Sequence, residues 1–139
     1  NIHMNAIIID PRERTIKQVT VKGESHEWLA EVISCSMFCI GSYIGGEGDA
    51  VFVDDEGLLY EDLPTFFFKI DGRILQSSNP QMLAGKAVLM GCDISTGESQ
   101  SPVTTVEQLT EAVRWCGLGF TRCTRTGITV DLKEFGAAI

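Results

Sequence analysis

Carboxylates are the chemically active side chains that this sequence spaces most closely. Four of them occur within eight consecutive residues: Asp49, Asp54, Asp55 and Glu56. Such groups serve general acid–base catalysis, and several carboxylate oxygens together also suit a hard divalent cation. The run lacks the alternating ligands and the distant glutamate of an EF-hand loop. A small acid- or metal-dependent hydrolase or transferase using these carboxylates is therefore one hypothesis, although we predict no individual catalytic residue, metal ligand or cofactor.

The acidic residues are concentrated in one third of the 139-residue chain. Its net charge is −8, yet residues 23–68 contain ten acids and none of the 11 Lys and Arg residues, so they carry −10. Because a nucleic-acid-binding protein normally presents a basic stripe, we expect no direct nucleic-acid binding. Two interpretations stay open, namely a solvated surface and an acidic face that binds a basic partner. The residues proposed for that face are Glu47, Asp49, Asp54, Asp55, Glu56, Glu61 and Asp62.

The thiols and the histidine give no recognisable reactive site. The number of cysteines is odd and no C-x-x-C pair occurs, which favours reduced, unreactive thiols and a cytoplasmic location over disulfides or zinc. His26-Glu27 lacks the second histidine of a zinc-protease helix. The uncharged stretch of residues 32–46 is too short to cross a bilayer, so we expect no membrane association. The cysteines are Cys35, Cys39, Cys92, Cys116 and Cys123.

Strand patterns outnumber helix patterns. Residues 5–10 and 14–21 predict a hairpin, and further strands are predicted at residues 37–44, 50–53, 66–70 and 86–90. Ser25 is expected to cap a helix that extends to about Cys35. A capping box at Thr105 predicts a second helix over residues 106–116, ended by the glycines that follow.

These elements predict an α+β fold, with a mainly antiparallel sheet and two helices packed on it. Trp28 and Trp115 lie on the apolar helix faces and are expected to be buried against the sheet. Residues 5–139 are expected to form a single domain. Residues 1–4, Asn-Ile-His-Met, look like a remnant of an expression vector.

Three consecutive phenylalanines mark one strand as unusual. Phe66 and Phe68 share one face of an extended chain, whereas Phe67 points to the other. Such a strand is covered on both faces in a core, lines a ligand pocket, or contacts another subunit. We predict a homodimer, with Phe66, Phe67 and Phe68 as candidate interface residues.

Several segments within residues 49–93 resemble those of a known group of proteins. The segments are residues 51–58 (VFVDDEGL), Leu63-Pro64, residues 83–91 (LAGKAVLMG) and Asp93. They resemble an uncharacterised family of small proteins from phages, plasmids and other mobile elements, although Phe66–Phe68 replaces a more polar stretch. The resemblance implies a mobile-element origin and supplies no catalytic residue. The main functional hypothesis is therefore a non-enzymatic binding protein that sequesters a basic host protein or a small ligand.

Overall fold

The computed structural model describes residues 4–35, 37–44, 48–55, 64–68, 83–93, 95–124 and 127–132. It has an α+β fold with mainly antiparallel sheets and two helices, as the sequence predicts. The strands are β1 (Asn5–Asp10), β2 (Thr15–Thr20), β3 (Phe38–Ile44), β4 (Asp49–Asp54), β5 (Pro64–Phe68), β6 (Leu83–Ala84), β7 (Ala87–Cys92), β8 (Ser99–Gln100), β9 (Val113–Thr124) and β10 (Gly127–Leu132). The helices are α1 (Ser25–Ile33) and α2 (Val106–Ala112).

The larger sheet has the strand order β2-β1-β7-β4-β3, with the short strand β8 added beside β7. The predicted first hairpin is confirmed, because β1 and β2 pair in an antiparallel register. In the central strands, alternate side chains enter two separate apolar clusters. Ile7 and Ile9 of β1 face one cluster, whereas Ala6 faces the other. Both faces of this sheet are therefore covered.

Helix α1 covers one face of the larger sheet. Leu29 and Ile33 pack with Val88 and Met90 of β7, and the half-buried Trp28 borders this cluster. The helix is capped by Glu24 and not by Ser25, which is the first helical residue. The long Glu24 carboxylate reaches two of the free N–H groups of the first turn, those of His26 and Glu27, at 2.9 Å each.

The second sheet covers the opposite face, with the strand order β10-β9-β5-β6. Phe66 and Phe68 of β5 enter the cluster that also contains Val51, Leu89 and Leu109. Residue 4 also contributes to the fold, since the carbonyl of Met4 accepts a hydrogen bond from the Val21 N–H at 2.8 Å.

Helix α2 is shorter than the sequence pattern predicts. Its capping box is confirmed, because Thr105 and Gln108 exchange hydrogen bonds between side chain and backbone. The helix ends at Ala112, so the glycines at 117 and 119 do not end it, and Trp115 lies on β9. Trp115 pairs with Phe66 on the neighbouring strand, which provides an alternative to continuing the helix. Trp115, like Trp28, is half-buried and not fully buried.

Candidate functional site

Asp49 is buried, and of the three predicted acidic-face residues that the structure describes it alone lies in the interior. Its side chain is 1% exposed. One carboxylate oxygen accepts a hydrogen bond from the Val103 N–H at 3.1 Å, and the other accepts one from the Thr104 N–H at 2.7 Å. Asp49 therefore lies off the surface, and its oxygens already serve the loop that leads into α2.

Asp54 and Asp55 lie at the end of β4, beside two thiols. Burial raises the pKa of Cys39, and a hydrogen bond with Asp55 raises it further. Burial and the charge of Asp54 also raise the pKa of Cys35. Both thiols are therefore held in the protonated, weakly nucleophilic form, since the thiolate is the reactive species.

The other members of the predicted acidic face, Glu47, Glu56, Glu61 and Asp62, lie outside the described residues. Among the residues that are described, no group of three or more His, Cys, Asp or Glu side chains is arranged to hold a metal ion. Of the predicted acidic-face residues that are described, Asp54 and Asp55 lie together, next to the thiols.

His26 is not positioned as a base for either thiol. It lies in the first turn of α1, whereas Cys35 follows the last turn, roughly 13 Å away along a helix of this length. Its ring packs on Phe38, with the ring centroids 4.7 Å apart. Phe38 borders the cluster under α1, while Cys39 borders the cluster on the other face of the sheet.

The predicted interface strand is largely internal. Phe66 and Phe68 are buried and their rings meet edge to face, with centroids 5.6 Å apart. Phe67 is half-buried. Strand β5 is paired along both edges, by β9 and by β6. The side chains of Phe66 and Phe68 are therefore core residues that a partner cannot reach, and the strand offers no long free edge.

Most of the exposed large apolar side chains that are described lie instead in β3 and directly before it. Among the described residues, four large apolar side chains are exposed, and three of them are Met37 (65%), Ile40 (42%) and Tyr43 (49%). We call these three residues the β3 patch. The fourth, Val103, lies far along the chain, in the loop before α2. Exposed apolar area concentrated in this way is typical of a contact surface.

A bulge at Gly41 shapes the β3 patch. The register of β3 on β4 shifts between Ile40 and Ser42, which leaves Gly41 as the extra residue. Ile40 then lies opposite Phe52 and Tyr43 opposite Ala50, two residues of β4 that share one face. A Cβ at Gly41 would come within 2.7 Å of Leu83 Cδ2, so a side chain at this position would require Leu83 to shift.

A cleft of about 340 Å³ lies between the β1–β2 turn and the start of β7. Arg12 and Lys86 line it together with Asp10 and Glu13. The Asp10 carboxylate accepts hydrogen bonds from the backbone N–H groups of Arg12 and Glu13 at 3.0 and 3.2 Å. The formal charges of these four side chains sum to zero.

Sequence reasoning predicted β3 as a strand but did not identify its exposed apolar side chains. The signal was present, since residues 37–46 contain no charged side chain. What the sequence does not show is that β3 is the last of the described strands in the larger sheet.

Within the described residues no helix is long and apolar enough to cross a membrane. Comparisons with protein-family models, with curated proteins and with solved structures found no match to this chain.

Proposed function

We propose that this protein is a non-enzymatic binding protein that acts by protein–protein contact through the β3 patch. The observation that carries this proposal is the concentration of exposed apolar side chains in β3 and directly before it, the strand that stands last in the larger sheet among the described residues. Exposed apolar side chains that lie close together form a surface that another chain can cover.

The chemistry of the carboxylates supports binding over catalysis. Asp49, which the hydrolase hypothesis includes, directs both carboxylate oxygens at backbone N–H groups. The two thiols beside Asp54 and Asp55 have raised pKa values, which disfavours a cysteine nucleophile. The mobile-element origin and the basic host partner stay predictions from the sequence.

The proposal is tested by placing a photo-crosslinking aromatic residue at position 43 or at position 103. Both natural side chains are exposed, but only Tyr43 belongs to the β3 patch. After irradiation in the original host cells, the probe at 43 is expected to give a discrete protein adduct that the probe at 103 does not give. Equal labelling at both positions, or none at either, would contradict the proposed function.

A further inference from the structure

We infer that the cleft between the β1–β2 turn and the start of β7 binds a small zwitterion with an apolar side chain, of the class of a free apolar α-amino acid. This inference goes beyond the proposed function, because no residue of the β3 patch lines the cleft. Sites for small molecules are concave and largely apolar, and a few charged or polar groups fix the orientation of the ligand. The cleft has both kinds of lining residue.

Four charged side chains of both signs line the cleft, namely Asp10, Arg12, Glu13 and Lys86. Antiparallel strands β1 and β7 pair Ile9 with Ala87, so the backbones of Asp10 and Lys86 come next to each other just beyond this pair. Among the described residues, however, no ion pair joins either cation to either acid. These charges are therefore available to a ligand.

The other walls of the cleft are apolar, and its volume suits one small ligand. Pro11, Ile33 and Pro64 line it, and all three are buried in the fold. The volume of about 340 Å³ has room for about ten non-hydrogen atoms, at about 30 Å³ each, the share of one water molecule in the liquid. Free amino acids with apolar side chains, such as leucine and phenylalanine, are of this size.

Hydrogen bonds hold both sides of the cleft in place. On one side, Oδ1 of Asp10 accepts the backbone N–H groups of Arg12 and Glu13 at 3.0 and 3.2 Å, so the turn does not use Oδ2. On the other side, the Gly85 N–H donates to the Pro64 carbonyl at 2.9 Å, and the φ of 80° at Gly85 favours glycine. A site that is already ordered loses less conformational freedom when a ligand binds.

The two signs of charge select a zwitterion. An anion without a positive group is repelled by Asp10 and Glu13, and a cation without a negative group is repelled by Arg12 and Lys86. A zwitterion satisfies both pairs, since its carboxylate binds between Arg12 and Lys86. Its ammonium group binds Asp10 and Glu13, and its apolar side chain lies against Ile33. Charge-assisted hydrogen bonds of this kind are stronger than neutral ones.

Isothermal titration calorimetry of the purified protein tests the class of ligand. The probes are leucine, methionine and phenylalanine, and at least one of them is expected to bind. That amino acid is then compared with the analogue that lacks its amino group and the analogue that lacks its carboxylate; for leucine these are isocaproate and isoamylamine. Each analogue is expected to bind at least about tenfold more weakly, because a charge-assisted contact is lost. No binding of the three amino acids, or an analogue that binds as tightly as its parent, would overturn the inference.

A pair of matched variants tests the location of the site. Lys86→Gln removes one of the two cations of the cleft and is expected to weaken binding at least about tenfold. Lys17→Gln makes the same change at a lysine of β2 that does not line the cleft, and its affinity should equal that of the wild type. Both lysines are exposed, so we expect both variants to fold. Equal affinities of the two variants would exclude the cleft.

Nuclear magnetic resonance of the wild type locates the ligand without any variant. On titration with the amino acid that binds, the backbone amide signals of Arg12, Glu13, Gly85 and Lys86 are expected to shift, while those of β3 stay in place. Amide shifts confined to residues outside the cleft would overturn the inference.

Discussion

The carboxylate of Asp49 holds the backbone of Thr104, which lies 55 residues further along the chain, through a 2.7 Å hydrogen bond. The second carboxylate oxygen accepts the N–H of Val103. Because Thr105 is the N-cap of α2, this contact connects the start of β4 directly to the entry of the second helix. It is a long-range polar contact made by a buried charged group.

Replacing Asp49 is expected to destabilise the protein strongly. Asp49→Ala removes the acceptor of two backbone N–H groups, and we expect a loss of about 2–4 kcal/mol in the free energy of unfolding. Glu31→Ala is the control, because it removes a carboxylate from an exposed position on α1, and a change of about 0.5 kcal/mol or less is expected. Urea unfolding of both variants measures the difference. Equal losses would show that Asp49 has no special structural role.

The cap of α1 predicts a pH dependence of stability. Hydrogen bonds from the His26 and Glu27 backbone lower the pKa of Glu24. A lowered folded-state pKa means that the stabilisation is fully present above the ordinary glutamate pKa and is lost as the pH falls through the folded value. Glu24→Gln should therefore lower the melting temperature at neutral pH, and this difference should shrink in acid. A difference that is independent of pH would exclude the charged cap as its cause.

The Cys39 thiol offers a test of the Asp55 contact. Burial is the largest cause of its raised pKa, and the hydrogen bond with Asp55 is the next. Asp55→Asn removes the negative charge, so the pKa should fall and Cys39 should be alkylated faster at mildly alkaline pH. Cys35 is the internal control, since its raised pKa is attributed to burial and Asp54. Peptide-resolved mass spectrometry gives both rates, and an unchanged rate at Cys39 would contradict the contact.

The bulge in β3 predicts an intolerance of side chains at residue 41. In Gly41→Ala the new Cβ would meet Leu83 Cδ2 at 2.7 Å and Val53 Cγ2 at 3.0 Å. Overpacking of this kind costs about 1–3 kcal/mol of stability. Combining it with Leu83→Ala should cost less than the sum of the two single changes, because the smaller side chain makes room. Strict additivity in chemical unfolding would show that the clash is absent.

Local patterns in the sequence were sufficient for several elements. The β1–β2 hairpin and the Thr105–Gln108 capping box depend on residues close together in the chain, and both are confirmed. The alternation of Phe66, Phe67 and Phe68 is confirmed as well, because side chains of any strand alternate between its two faces. Hydrogen bonds and periodicity within a few residues are enough to predict features of this kind.

Only the tertiary structure decided which residues are buried and which strand is left at the rim. In the sequence, Asp49 is one of several acids in the same acidic stretch and looks like its neighbours. Its buried position depends on Val103 and Thr104, which lie far along the chain. Trp115 fits a helical spacing, yet its pairing with Phe66 places it on a strand. Likewise, among the described strands β3 stands last in the larger sheet, beside β4, and strand order is set by contacts between distant segments that no local pattern contains.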